Sequence, residues 1–135
     1  MQGFYITEHG NQRIRRISLV GFTSTIAGTG AIGNQDGAGS SALFNYPNNL
    51  CYDNSTGNLF VSENALVRRI TPAGIVSTFA TIGGCQTGIT FDNSSNIFVA
   101  DGISDQGTYM FFMLSRLMNT RSTFIISIIT VNYFF

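Results

Sequence analysis

Short apolar and polar runs alternate along the first 107 residues of the chain, and turn-forming residues separate them. The runs are rich in Ile, Val, Phe and Thr, whereas Gly, Asn, Ser and Asp stand between them. This pattern predicts β-strands joined by hairpins, and we find no amphipathic helical period in this part of the chain. The predicted strands are Phe4–Glu8, Arg13–Ser18, Phe22–Ala27, Leu50–Asp53, Leu59–Glu63, Val67–Thr71, Ile75–Ala80, Ile89–Asp92 and Ile97–Asp101.

The strands recur in a fixed order. Residues 14–30 (IRRISLVGFTSTIAGTG) and 67–83 (VRRITPAGIVSTFATIG) share eight identities in 17 ungapped positions, at a spacing of 53. Residues 51–63 (CYDNSTGNLFVSE) match residues 90–101 (TFDNSSNIFVAD) after one deletion in the turn. Four short antiparallel strands in each unit of roughly 40 to 55 residues are typical of a propeller blade.

One ordered set of motifs runs through the complete unit. Its positions are Asp36-Gly37-Ala38-Gly39, Ala42, Phe44-Asn45-Tyr46-Pro47, Leu50, Asp53, Gly57-Asn58-Leu59-Phe60-Val61, Val67-Arg68-Arg69-Ile70 and Gly74-Ile75-Val76-Ser77-Thr78. This order resembles the NHL repeat, and the resemblance covers roughly residues 3–107. It implies an NHL-type β-propeller, a family used mostly to bind protein, RNA or other ligands on the propeller faces.

The predicted fold class is therefore all-β: an incomplete NHL-type β-propeller of four-stranded antiparallel blades, with an apolar C-terminal tail outside the family pattern. Within residues 1–107 the blade parts are about 3–30, 49–80 and 88–101, which supply three, four and two strands. Closed propellers have about four to eight blades. We therefore expect a fragment or truncated product of a larger propeller, which needs further blades or another copy to close.

Residues 108–135 depart from the repeat in composition. A membrane-spanning helix needs about 20 apolar residues, but the longest uncharged run, residues 122–135, has 14. Three interpretations are open. The favoured one is a tail outside the family, such as unspliced or frame-shifted sequence. The second is a membrane-associated segment within residues 109–135, and the third is a divergent strand pair or helix that covers the open sheet edge.

Charge and composition exclude some function classes. The chain has a formal net charge of zero and its seven basic residues are all arginine, whereas general nucleic-acid binding needs a basic excess. No signal-peptide pattern is visible at the N-terminus. Two N-glycosylation sequons, at Asn54 and Asn93, occupy matching turns. Together with the apolar tail they leave a secreted or membrane-associated location open, so the compartment is not predicted.

No catalytic, cofactor-binding or metal-binding residue is predicted. The sequence GTGAIG at residues 28–33 imitates a dinucleotide loop, but no helical pattern follows it to hold a pyrophosphate. His9 is the only histidine, so with Glu8 alone it is better explained as a hairpin residue than as a metal ligand. Cys51 and Cys85 have no metal-ligand spacing and do not require a disulfide. Strand-end acids such as Glu63 are best explained by turn chemistry.

Two arginine pairs, Arg15-Arg16 and Arg68-Arg69, are the most informative polar feature. Neighbouring residues in a strand point to opposite faces, so one arginine of each pair must lie against a neighbouring blade or reach a rim. It could act as a latch that bonds a carboxylate or carbonyl of the same or next blade. It could instead bind an anion or RNA. We favour the latch.

The predicted function is a non-catalytic binding or scaffold module whose ligand, most simply a protein, binds on a propeller face. The alternative is a metal-dependent lyase or lactonase-like propeller enzyme whose catalytic residues lie on missing blades. A third hypothesis is an RNA-binding propeller, for which nucleic-acid affinity would fall steeply with salt.

Overall fold

The computed structural model of the chain describes residues 3–82, 86–92, 96–101, 109–116 and 124–131. These residues form three antiparallel sheets, one short 3-10 helix at His9–Asn11 and no α-helix. The predicted all-β antiparallel class is confirmed. The strands are β1 (Phe4–Glu8), β2 (Arg13–Ile17), β3 (Thr23–Ala27), β4 (Gly37–Ala38), β5 (Asn49–Tyr52), β6 (Leu59–Glu63), β7 (Leu66–Ile70), β8 (Ile75–Thr81), β9 (Gln86–Phe91), β10 (Ile97–Asp101), β11 (Tyr109–Arg116) and β12 (Phe124–Val131).

Each sheet contains a meander of three or four consecutive strands. Sheet 1 has the order β1-β2-β3, and sheet 3 has the order β9-β10-β11-β12. Sheet 2 contains the complete repeat unit, β5 to β8, and the two-residue strand β4 is added at the outer edge of β8. The chain segment that leads into sheet 2 therefore covers the first part of its outer edge, at Ile75 and Val76.

The repeated sequence segments pair with their neighbouring strands in the same register in sheets 1 and 2. Arg15 lies opposite Ile6 in sheet 1, and Arg68 lies opposite Val61 in sheet 2. A β-bulge immediately precedes each of these two arginines where its strand pairs with the outer strand. The repeated glycine has a local cause as well. Gly21 and Gly74 have φ of 86° and 78° in equivalent turns, a backbone conformation that favours glycine.

The long connection between sheets 1 and 2 runs along the outer edge of sheet 2. Gly28 donates its N–H to Gly39 O, and Gly39 donates its N–H to Gly74 O. A Cβ on Gly39 would lie 2.5 Å from Ile26 O, so only glycine fits this close approach. The segment that imitates a nucleotide loop is therefore a strand-to-strand connection, as its lack of a helical pattern predicts.

Two hydrophobic clusters join the sheets face to face. One lies between sheets 1 and 2, where Ile14 and Ala27 meet Leu59 and Val61. The other lies between sheets 2 and 3, where Phe60 contacts side chains of β9 and β10. The Phe60 ring meets the rings of Phe79 and Phe91 edge-on, with centroids 4.8 and 5.3 Å apart. Sheet 2 thus buries both of its faces, which explains the continuous apolar run of β6.

The C-terminal segments extend sheet 3. β11 pairs with β10 and β12 pairs with β11, both antiparallel. The backbone at residues 109–116 and 124–131 is thus a strand pair, which agrees with the third interpretation of this segment. Within the described residues, no helix combines the length and the hydrophobicity needed to cross a membrane. An origin of this segment outside the family stays a prediction.

Candidate functional site

Arg68, in the middle of β7, is the centre of a buried polar cluster. Its side chain has no exposed surface, and its Nη1 donates hydrogen bonds to Glu63 Oε1 at 2.5 Å and to Leu43 O at 3.1 Å. Nη2 donates to Asp36 Oδ1 at 2.6 Å and to Gln35 O at 3.1 Å. The guanidinium carbon also lies 5.2 Å from the centre of a phenyl ring, that of the buried Phe44.

The two carboxylates of this cluster differ in environment. Glu63, at the end of β6, is buried and also accepts a hydrogen bond from the Asn45 N–H at 2.8 Å. Burial raises its pKa above the ordinary value, against the opposing effects of Arg68 and the Asn45 amide. The turn-chemistry interpretation of Glu63 is therefore wrong, because its side chain bonds an arginine and a distant backbone group.

Asp36 lies in the connection that precedes sheet 2, and its side chain contacts the outer strand of that sheet, β8. Its carboxylate accepts hydrogen bonds from the Thr78 N–H at 2.9 Å and the Thr78 hydroxyl at 3.2 Å, besides the one from Arg68. Partial burial opposes ionisation of Asp36, but these bonds outweigh it and lower its pKa below the ordinary 3.8. The cluster ties the connection to β7 and β8 through one carboxylate.

Replacing Asp36 by Asn should reduce the free energy of unfolding by about 1 kcal/mol near neutral pH, because solvent screens this half-exposed carboxylate. A lowered pKa contributes stability above the unfolded-state pKa, and that contribution is lost as pH falls through the lower folded-state value. The difference between wild type and Asp36→Asn should therefore shrink as pH falls below about 4. Urea unfolding from about pH 7 to about pH 3 measures this, and a difference independent of pH would contradict it.

The other predicted arginines occupy different environments. Arg15, the repeat counterpart of Arg68, is half-buried and pairs with no carboxylate within the described part of the chain, whereas the Nε atoms of both arginines lack a hydrogen-bond partner there. Arg16 and Arg69 lie opposite Tyr5 and Phe60 in their sheets and are also half-buried. The partners of Arg68 belong to its own sheet or to the connection before it. A latch between blades remains a prediction for all four arginines.

A second set of side chains lies at the end of the sheets where β1 turns into β2 and β6 turns into β7. Three non-glycine residues have positive φ here, with Gln12 at 53°, Tyr46 at 55° and Ala65 at 60°. Such strained residues persist only where their surroundings hold them, and they concentrate at functional sites. We call this end of the molecule the hairpin face.

Polar contacts between distant parts of the chain fix the shape of the hairpin face. Gln12 is buried, and its Oε1 accepts a hydrogen bond from the Tyr46 N–H at 2.6 Å. The Thr7 hydroxyl donates to Asn48 O at 2.7 Å. The rings of His9 and Tyr46 lie 5.1 Å apart, tilted by 37°, and both residues are exposed. The face thus presents two adjacent exposed rings next to backbone that these hydrogen bonds hold.

The opposite end carries the turn that contains the first sequon. Asn54 is exposed, beside Asp53, whose Oδ1 accepts hydrogen bonds from the Ser55 N–H and hydroxyl. Burial opposes ionisation of Asp53, but its bonds to Ser55 and Thr56 lower its pKa. This is the turn chemistry predicted for strand-end aspartates. The second sequon residue, Asn93, lies outside the described residues.

Metal-ligating side chains do not converge within the ranges that the structure describes. In the described part of the chain no group of three His, Cys, Asp or Glu residues could hold a metal ion. Cys51 is a free thiol, and burial together with the nearby Asp53 charge raises its pKa to about 12, which makes it a poor nucleophile at neutral pH. Cys85 lies outside the described residues.

Sequence reasoning missed two of these site residues. Gln12 belongs to no motif, Tyr46 stands in the motif string without an assigned role, and their contact spans 34 positions of the chain. The available signal is Asn45-Tyr46-Pro47, which marks a turn but says nothing about its partner. Asp36 belongs to a recognised motif string, yet its bond to Arg68 joins residues 32 positions apart.

Comparison with known proteins supports the fold alone. No protein-family model matches the chain, and no curated protein matches it either. Among solved structures, it is similar to virginiamycin B lyase from Staphylococcus aureus, at 18% identity over 96% of this chain and 39% of that one, with a TM-score of 0.62. A putative gluconolactonase gives 19% identity, 91% and 44% coverage and a TM-score of 0.64.

An auxiliary nutrient binding protein from Bacteroides ovatus is also similar, at 19% identity over 70% of this chain and 31% of that one, with a TM-score of 0.59. The chain thus spans less than half the length of each of these three proteins. They are β-propeller proteins. With its antiparallel meanders packed face to face, the chain has the fold of a partial β-propeller.

Proposed function

We propose that the chain is part of a non-catalytic NHL-type propeller that binds a protein ligand on its hairpin face. The observation that carries the proposal is the exposed pair of His9 and Tyr46 on a strained backbone that buried Gln12 holds in place. Tyrosine is enriched among the residues that dominate binding energy at protein interfaces. A rigid surface also loses little entropy when it binds.

The test compares two substitutions that remove one aromatic ring each. Tyr46→Asn deletes the ring and keeps a residue that tolerates positive φ. Phe22→Ala deletes an exposed ring on the β2–β3 turn and serves as the control. Partners captured by the wild-type chain are purified and titrated against each variant. We expect Tyr46→Asn to weaken the affinity by about thirtyfold, as for a hot-spot residue, and Phe22→Ala to leave it unchanged. Equal affinity for wild type and Tyr46→Asn would refute the proposal.

The second candidate function is that of a propeller enzyme whose catalytic residues lie on blades beyond this chain. The names of the two enzyme-like neighbours, a lyase and a putative gluconolactonase, favour this candidate over an RNA-binding propeller. Stoichiometric zinc or calcium bound by the full-length gene product would support the enzyme over the pure scaffold. The RNA-binding hypothesis loses one of its contacts, since Arg68 is buried and cannot reach a phosphate.

A further inference from the structure

Sheet 1 exposes apolar positions that the other sheets bury. In the repeat, Phe4 of β1 corresponds to Leu59 of β6 and Ile97 of β10. The next residue on the same face of each strand is Ile6 in β1, Val61 in β6 and Val99 in β10. In sheet 1, Phe4 is 66% exposed and Ile6 is 39% exposed. In sheets 2 and 3 the corresponding side chains are at most 3% exposed: Leu59, Val61, Ile97 and Val99. In sheets 2 and 3 these positions pack against the preceding sheet. In sheet 1 no described part of the chain covers the corresponding face.

The same side of sheet 2 also binds a carboxylate. Asp36 places Oδ1 on Arg68 and on the Thr78 hydroxyl, and Oδ2 on the Thr78 N–H. Gly37 and Ala38, which follow it, pair with β8 as the added strand β4. One aspartate thereby fixes the register of an extended segment on the sheet edge.

Sheet 1 has the same arginine and threonine arrangement that binds the Asp36 carboxylate in sheet 2. Arg15 lies opposite Thr25 next to a bulge, as Arg68 lies opposite Thr78. No strand is paired to the outer edge of β3 among the described residues. Arg15 is half-buried, and no carboxylate pairs with its guanidinium within that same part of the chain. In sheet 2 the two carboxylates bond the Nη atoms of Arg68, and its Nε has no partner there, like that of Arg15. A carboxylate at the corresponding position of sheet 1 would therefore be favoured by charge-assisted hydrogen bonds to the Nη atoms of Arg15.

We propose that Arg15 and Thr25 form a carboxylate site that binds an aspartate from an extended Asp-Gly segment added to the outer edge of β3. The occupant is a polypeptide with the chemistry of Asp36-Gly37-Ala38. Its aspartate bonds the Arg15 guanidinium and the Thr25 amide and hydroxyl, and its backbone continues along β3 by strand addition. The sheet that carries this segment covers Phe4 and Ile6.

The geometry selects this occupant over a free anion. In sheet 2 both oxygens of the Asp36 carboxylate accept hydrogen bonds, from three donors of fixed position. A carboxylate on a side chain that is anchored to a paired strand can be held in the orientation that these donors require. Gly37 has a φ of 131°, a conformation that side-chain-bearing residues rarely adopt. An aspartate followed by glycine is therefore the sequence that fits.

The test uses the full 135-residue chain labelled with nitrogen-15 and a blocked peptide that copies residues 34–44, NQDGAGSSALF. Titration should shift the Thr25 amide and the Arg15 Nε–H signals to saturation. Asp36→Asn in the peptide should weaken binding by at least about tenfold, because it removes a charge-assisted hydrogen bond. Arg15→Gln in the protein should do the same, and Arg13→Gln, which removes an equal charge from the same strand, should not.

The peptide comparison is made on the wild-type protein, so it stays informative even if Arg15→Gln does not fold. Equal binding of the Asp and Asn peptides would overturn the proposal. So would shifts confined to Thr78, which would show exchange with the native connection at sheet 2, or the absence of any saturable shift at Thr25.

Discussion

Replacing Arg68 by methionine is expected to lower the free energy of unfolding by about 3 to 5 kcal/mol, the effect of removing one partner of a buried ion pair. Methionine keeps much of the side-chain length but leaves the Glu63 carboxylate buried without its cation. The Leu43 and Gln35 carbonyls lose their donors as well. Equilibrium urea denaturation followed by circular dichroism measures the loss.

The chain contains its own control for this prediction. Arg15→Met makes the same chemical change at the equivalent position of sheet 1, where no carboxylate pairs with the arginine among the described residues. We expect a loss below about 1 kcal/mol there. Combining Arg68→Met with Glu63→Gln should recover part of the lost stability, since it removes the uncompensated charge. Equal losses for Arg68→Met and Arg15→Met would contradict the ion-pair explanation.

Phe60→Ala is expected to cost about 3 to 5 kcal/mol, as for other large-to-small changes in a core. The Phe60 side chain is buried between sheets 2 and 3, where it contacts Phe79 and Phe91 edge-on. Its removal leaves a cavity that the surrounding strands cannot collapse to fill. The shift of the urea midpoint at constant slope gives the size of the effect.

Phe4→Ala is the matched control, because it deletes the same ring from an exposed position of sheet 1. A change within about 0.5 kcal/mol is expected there. A large loss for Phe4→Ala would mean that another surface covers sheet 1 in solution. A small loss for Phe60→Ala would mean that sheets 2 and 3 do not pack as described.

The sequence predicts the strands well because each is a short apolar run between turn residues, and because the repeat determines their order. It also predicts the turns at Gly21 and Gly74, where local geometry requires glycine. It does not predict β4, since two small residues, Gly37 and Ala38, carry no pattern. For β11 and β12 the sequence leaves a strand pair as one of three interpretations, because the family motif stops before them.

The candidate site is less predictable than the strands for a physical reason. Turns depend on neighbours in sequence, whereas the partners of Arg68 and Gln12 are brought close only by tertiary folding. The arginine pairs stand out in the sequence because they repeat, but the repeat alone does not separate buried Arg68 from half-buried Arg15. That difference arises because the connection before sheet 2 covers Arg68, whereas no described segment covers Arg15 in the same way.

The position of β4 ahead of the strand that it covers has a consequence for synthesis on the ribosome. Residues 36–38 leave the exit tunnel before β8 does, so the segment that shields this outer edge is already present when the edge first forms. An exposed strand edge is a template for aggregation, and newly made chains are most vulnerable while their edges are open. A nascent chain built in this order shortens the time for which the edge of sheet 2 remains unprotected.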